Sequence, residues 1–323
     1  MQYYPMKLKG ITKSPIWGGT RLRETFGKLS DCETIGESWE LTVREKEMCT
    51  VENGAFSGRT LGALIAGDVA GMMGESRTEN GFPLLIKLID AHDRLSVQVH
   101  PDDAYAARVE HDRGKTEMWY IVEAEEGAEI ICGLAAGMTQ KDFAEAVAAG
   151  DPERALHRQK VHPGETYFIP AGLPHAIGRG ILIAEIQQNC DLTYRVYDYN
   201  RRQADGSLRE LHVRKALEVI RPFSAEEIER IRFSRGNAAP DVGVLLADCE
   251  YFRVVQGASE PGKAVLLPPS ARMRHLLFLS GSGTVHGGGV DAAYTKGDSI
   301  FLPAELGEVS VEGTGIWLLS EAY

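Results

Sequence analysis

The sequence predicts a mainly β protein built as two β-barrels with a few short helices. Three observations carry this. Gly (35) and Pro (14) punctuate the 323 residues at short intervals. Between them lie short runs rich in β-formers, which is the pattern of a sandwich or barrel. The segment PGETYFIPAGLPH (163–175) is also echoed, without gaps, by KGDSIFLPAELGE (296–308).

In chain order the expected strands are Ser38–Val43, Leu84–Leu88, Leu95–His100, Met118–Val122, Glu129–Gly133, Thr166–Ile169 and Ile181–Gln187. A helix-like insertion covers Asp102–His111. Thr139 can cap a helix through MTQKDFAEAVAAG, whose Phe143, Ala146 and Val147 share one face. Asp151-Pro152 opens a second helix, with Pro where its missing N–H costs nothing. Ser224 followed by Glu227 is a capping-box pattern heading a helix to about residue 233.

The echo has two readings. "Gly-acid-x-x-Phe-x-Pro" is a common turn–strand–turn, or the chain carries a duplicated barrel whose second copy runs from about 240 to 323. Glu308 stands where His175 stands in the first copy, so under duplication the chemistry belongs to the first. The expected division is 1–235 and 236–323.

The net charge of −11, with no Lys/Arg-rich run, argues against nucleic acid or an anionic membrane as partner. A small anionic ligand is still allowed, because a local pocket can be cationic on an acidic protein. The longest apolar runs, such as Leu84–Ile86, are too short to span a bilayer, and MQYYPMKLKG has no signal-peptide core. Five scattered cysteines with no CxxC pair read as reduced thiols, which places the protein in the cytoplasm.

Chemistry concentrates in three segments. In Leu95–His100 the alternation puts Ser96, Gln98 and His100 on one face of a strand. Such a Gln-x-His pair can equally be two buried groups satisfied by backbone. Lys115, Glu117 and Trp119 share one side of the next strand, where Glu117 alone reads as a surface charge. Gly164-x5-Pro170-x-Gly172-x2-His175 has the spacing of the second cupin motif, a tight turn that re-aims a His into a barrel. Ordinary cupins place His-x-His and a nearby Glu in the first motif. Here Gln98 replaces the first His, and Glu117 follows the helical insertion.

That departure is itself diagnostic. QVHPDD (98–103), GKTEMWYIV (114–122), IPAGLPHAIG (169–178) and EIQQNCDLTYRVYDYNR (185–201) resemble type I mannose-6-phosphate isomerase. Trp17-Gly-Gly19 and Gly36-Glu-Ser-Trp39-Glu fit the same family, and the length suits its short bacterial form. The resemblance implies two cupin-type (jelly-roll) barrels, the second degenerate. It makes Gln98, His100, Glu117 and His175 the ligands of one Zn²⁺ per chain, with Fe²⁺ or another divalent metal as the alternative. It makes Arg195 the active-site arginine.

The implied reaction interconverts mannose 6-phosphate and fructose 6-phosphate through an enediol. Lys87, Lys115 and Glu185 are candidate substrate contacts, and Arg202 joins Lys87, Lys115 and Arg195 as a candidate phosphate cation. The partner is a small phosphorylated sugar, and the protein acts as a monomer or homodimer. The rival classes are a non-catalytic sugar-phosphate-binding cupin and an Fe(II) cupin dioxygenase. The remaining histidines, His212 and His275 among them, read as structural or exposed, and Asp198 as a partner for Arg195.

Overall fold

The computed structural model describes residues 2–76, 78–79, 81–203, 205–223, 225–233, 238–239 and 242–323. The protein is mainly β, in several antiparallel sheets. A seven-stranded sheet runs in the order 232–233, 166–169, 117–124, 181–188, 84–91, 37–41, 11–13. A five-stranded sheet orders 156–160, 129–134, 175–177, 97–99, 194–197. Among the described residues these sheets are open, and no strand pairing closes them into a continuous barrel.

The central strands Leu84–Ala91 and Ile181–Gln188 are buried throughout. Burial on both faces explains their near-continuous apolar sequence. Alternation then sorts their side chains. Leu84, Ile86, Leu88, Leu182, Ala184, Ile186, Met118 and Tyr120 enter the large core shared with the C-terminal half. Ile89, Ile181, Ile183, Trp119 and Ile121 point the other way and pack with Ile130, Cys132 and Ile177 of the five-stranded sheet. Lys87 and Glu185 lie opposite each other in register, Trp119 is also paired with Glu185, and Ile169 is paired with Glu117.

Helices cover the outer side of the five-stranded sheet. Gln140–Ala148 is capped by Thr139 in a full capping box with Asp142, and buries Phe143 and Ala146. Val97, Val99, Tyr194 and Val196 meet them there, together with Ala216 of helix Val213–Val219. The insertion forms helix Asp103–Val109, capped by the Asp102 side chain. Asp151-Pro152 departs from expectation. It gives a single 3-10 turn, Pro152–Ala155, because the chain re-enters the sheet at Leu156–Lys160 and pairs with Glu129–Leu134. Ser224 lies outside the described residues; the helix that follows is Ala225–Ile231.

The C-terminal half builds an eight-stranded and a four-stranded sheet. Its strand Ser299–Leu302 falls where the echo of Thr166–Ile169 places it, and each is preceded by a glycine of positive φ, Gly164 (86°) and Gly297 (92°). The eight-stranded sheet ends on two strands from the N-terminus, Met6–Lys9 and Thr50–Val51, with Met6 paired to Phe301. Gly288 and Gly289, both at positive φ, turn the hairpin between Ser282–Gly287 and Val290–Thr295.

Candidate active site

Three buried side chains from three separate strands or strand ends converge: His100, Glu117 and His175. His100 Nδ1 lies 2.8 Å from the Leu192 carbonyl, and His175 Nδ1 lies 2.8 Å from the Leu173 carbonyl. A carbonyl oxygen only accepts, so each Nδ1 carries the proton and each Nε2 keeps its lone pair. Those two Nε2 atoms face each other at 3.1 Å. Glu117 Oε2 is 3.6 Å from His100 Nε2, and Glu117 Oε1 is 3.5 Å from His175 Nε2. Glu117 Oε1 is buried with no hydrogen-bond donor.

The Lys115 ammonium meets His100 Nε2 and Glu117 Oε2, but His175 Nε2 and Glu117 Oε1 are left with no donor, which is costly unless a further cation sits among them. Burial, and then the Lys115 charge, hold His100 well below its ordinary pKa. Burial pulls His175 down to about 4. Both imidazoles are therefore neutral, as ligands must be. Burial and the neighbouring Glu185 raise the Glu117 carboxyl to about 7, against the pull of Lys115. The donor set fits a divalent metal, with the ring orientation fixed by backbone carbonyls.

Gln98 stands directly across from His175, and Arg195 directly across from Gln98 on the next strand. Both line a cavity of about 340 Å³ with Lys87, Lys115 and Glu185. Lys115 joins the cavity to the trio, lying 2.7 Å from Glu117 Oε2 and 3.1 Å from His100 Nε2. Burial works against the Lys87 and Lys115 ammonium groups, but the surrounding carboxylates outweigh it and hold both pKa values above the ordinary value. Burial raises the Glu185 carboxyl, yet Lys115 and Lys87 together overcome it and keep it a carboxylate. Trp119 Nε1 donates to Glu185 Oε2 at 3.0 Å.

Gln98, Arg195, Lys87, Lys115 and Glu185 therefore line one cavity, Lys115 links it to His100, Glu117 and His175, and several residues not assigned to the site join them. Glu37 and Asp191 line the cavity, 3.8 and 3.7 Å from Lys87 Nζ, and Arg209 and His212 form part of its wall. His212 is half-buried on the cavity wall, where its Nδ1 accepts from the Arg195 backbone N–H. Arg202 is not on that wall; it donates to the Gly206 carbonyl. Asp198 accepts from Arg201 and Arg209 and leaves Arg195 unpaired to it, because both those guanidiniums reach its oxygens first. On the strand beside the echoed segment His275 is fully buried against Ser299, and within the segment Glu308 is exposed.

Residues 6–135 match the family model described as phosphomannose isomerase type I, catalytic domain. The chain is 37% identical to a mannose-6-phosphate isomerase of Bacillus subtilis, with 96% of each chain covered. It is 36% identical to a mannose-6-phosphate isomerase of Streptococcus mutans, over 93% of this chain and 92% of the other. A crystal structure of mannose 6-phosphate isomerase from Bacillus subtilis superposes with a TM-score of 0.88 at 33% identity, covering 98% of this chain and 99% of that one. Relatives this similar over nearly the full length fix the family: the chain belongs to the type I phosphomannose isomerases.

Proposed function

We propose that the protein is a metal-dependent aldose–ketose isomerase that interconverts mannose 6-phosphate and fructose 6-phosphate through an enediol. The observation that carries this is the pair of Nε2 atoms facing each other beside Glu117, His100 Nε2 met by Lys115 and His175 Nε2 by no donor, next to a cavity rich in cations. His100, Glu117 and His175, with Gln98 as the fourth ligand, would hold one Zn²⁺ per chain. A metal there supplies Lewis-acid polarisation of the substrate's oxygens.

The chain's own residues do the rest. Lys115, kept protonated by Glu117 and Glu185, donates toward an oxygen on which negative charge develops. Glu185, kept ionised by Lys87 and Lys115, accepts from a substrate hydroxyl. Arg195 is the catalytic arginine: a permanently charged fork facing the cavity, suited to a substrate anion, enediolate or phosphate, and unsuited to act as a base. Trp17, Ile89, Leu95 and Ile177 line the same cavity with apolar surface and limit water beside these charges.

In this reading residues 1–235 form a catalytic cupin unit and 236–323 a degenerate one, each a jelly roll of two sheets, with Met6–Lys9 lent to the second. The five cysteines are free, which suits the cytoplasm, where the enzyme would act on its small sugar phosphate as a monomer or homodimer. No described helix is long and apolar enough to cross a membrane. The test is fructose 6-phosphate turnover in a coupled assay, with and without chelator, alongside metal analysis. Activity should vanish on chelation and return with metal. Full turnover in metal-free protein would overturn the reading, and binding without turnover in metal-loaded protein would favour a sugar-phosphate sensor.

A further inference from the structure

The charges on the cavity wall are unevenly balanced. Lys87 faces the carboxylates of Glu185, Glu37 and Asp191 at 3.4–3.8 Å, and Lys115 lies against Glu117. Neither ammonium has charge to spare for a dianion. Arg195 differs. Among the described residues it forms no ion pair; its Nη1 donates to the Glu210 carbonyl at 2.9 Å, and its Nε is buried with no partner. Arg209 stands beside it on the wall, and its Nε donates to Asp198 Oδ2 at 2.7 Å. Asp198 is 5% exposed and shared with Arg201, which also reaches Asp93 at 3.3 Å. Two guanidiniums thus face the cavity with less than one carboxylate between them.

His212 completes the group. Its Nδ1 accepts from the Arg195 backbone N–H at 3.3 Å, so the proton sits on Nε2, whose nearest carboxylate, Glu210, is 3.9 Å away. The position is also suitable. His175, Gln98 and Arg195 occupy neighbouring strands in direct register, and strands lie about 4.8 Å apart. Arg195 is therefore roughly 10 Å across the sheet from His175. That is comparable to an extended six-carbon chain ending in phosphate.

We propose that Arg209 and His212, together with Arg195, form the subsite for the phosphate monoester of the substrate, with Asp198 as the positioning residue that aims the Arg209 fork. A phosphate monoester carries about −1.5 to −2 charges near neutrality, and a planar guanidinium fork matches its oxygens. This assignment rests on the sugar-phosphate isomerase reading for its substrate, but not for its anion site. Asp198 holds Arg209 by two hydrogen bonds, so the fork is set before the anion arrives.

The test uses the metal-loaded full chain, with inorganic phosphate as calorimetric probe and fructose 6-phosphate kinetics in parallel. Arg209→Met should raise KM about 10- to 100-fold and weaken phosphate binding by a similar factor, with kcat changed only a few-fold and metal content unchanged. Arg209→Lys should recover part of the affinity, since it restores charge without the fork. Asp198→Asn should mimic Arg209→Met more weakly, in KM rather than kcat. Unchanged KM and phosphate affinity in a folded Arg209→Met, or a loss confined to kcat, would overturn the assignment. If Arg209→Met does not fold, Arg209→Lys with wild-type KM and phosphate affinity overturns it equally. Wild-type protein that binds phosphate through Arg209 yet turns over no sugar phosphate would retire the isomerase reading and leave the subsite standing.

Discussion

The two halves of the chain can be compared strand by strand, because Thr166–Ile169 and Ser299–Leu302 occupy equivalent places in the echoed segments. In the first half Ile169 is paired with Glu117; in the second Leu302 is paired with Arg274. Both partner side chains are buried, but they differ in what surrounds them. Glu117 keeps an unsatisfied oxygen beside two lone pairs, whereas Arg274 closes on its own loop through Nη1 to the Pro268 carbonyl at 2.6 Å. His175, facing into the trio, is matched by the exposed Glu308. One strand framework thus carries a converging set of metal-type donors in one half and, in the other, a guanidinium tied to its own loop with its Nε unpartnered. What sets the first half apart is that its orphaned groups converge on one point, where a single cation would complete them.

The sharpest way to break this contrast is to remove the matched side chain from each half. His175→Ala should abolish metal retention and lower turnover by at least about 10³-fold, whereas Glu308→Ala should change neither. Metal stoichiometry by mass spectrometry and the coupled assay read both. A second tightly bound metal per chain would erase the distinction.

Next in size is Arg195→Ala. Turnover should fall about 100-fold with metal content intact, as loss of one preorganised donor typically does. Near-normal kcat would return Arg195 to the surface. Its counterpart test is Arg274→Met, which should lower stability by about 2 kcal/mol through the lost Pro268 contact while kcat stays unchanged. Urea midpoints against kcat separate the two outcomes.

The smallest effect concerns acid. Burial lowers His275 to about 3. Unfolding restores its ordinary value, near 6.5. The unfolded chain therefore binds a proton that the folded chain refuses, so stability is full above about 6.5 and is lost progressively as pH falls toward about 3. Between pH 6.5 and 5 this single group should remove about 2 kcal/mol. His275→Gln should flatten that part of the profile, measured as urea midpoints at the two pH values. An unchanged slope would remove His275 from the account.

Much of the site was legible before folding because its residues sit on alternating strands. Period-two spacing put Gln98 with His100, and Lys115 with Glu117, on common faces, and the Gly164–His175 turn spacing aimed His175. Arg209, His212, Glu37 and Asp191 carry no such signal. They reach the cavity from distant or irregular segments whose placement depends on tertiary packing, and no local period announces it. The same limit explains Asp151-Pro152. The Pro correctly marks the start of a helical turn, but the alternating burial of Leu156–Lys160 and its pairing with the neighbouring strand stop the turn after one cycle.

The pairing of Met6–Lys9 with Ser299–Phe301 has a consequence for how the molecule is born. On the ribosome this strand must wait until residues 299–301, far along the chain, are made. At about 5–20 residues per second, that wait is roughly 15 to 60 s. Throughout it Met6 and Leu8, both destined for the shared core, have no partner from the C-terminal half, and the strand presents an open hydrogen-bonding edge. The nascent chain is thus exposed to mispairing at this strand, well behind its growing end. A helper that shelters an apolar edge would act best on Met6–Lys9.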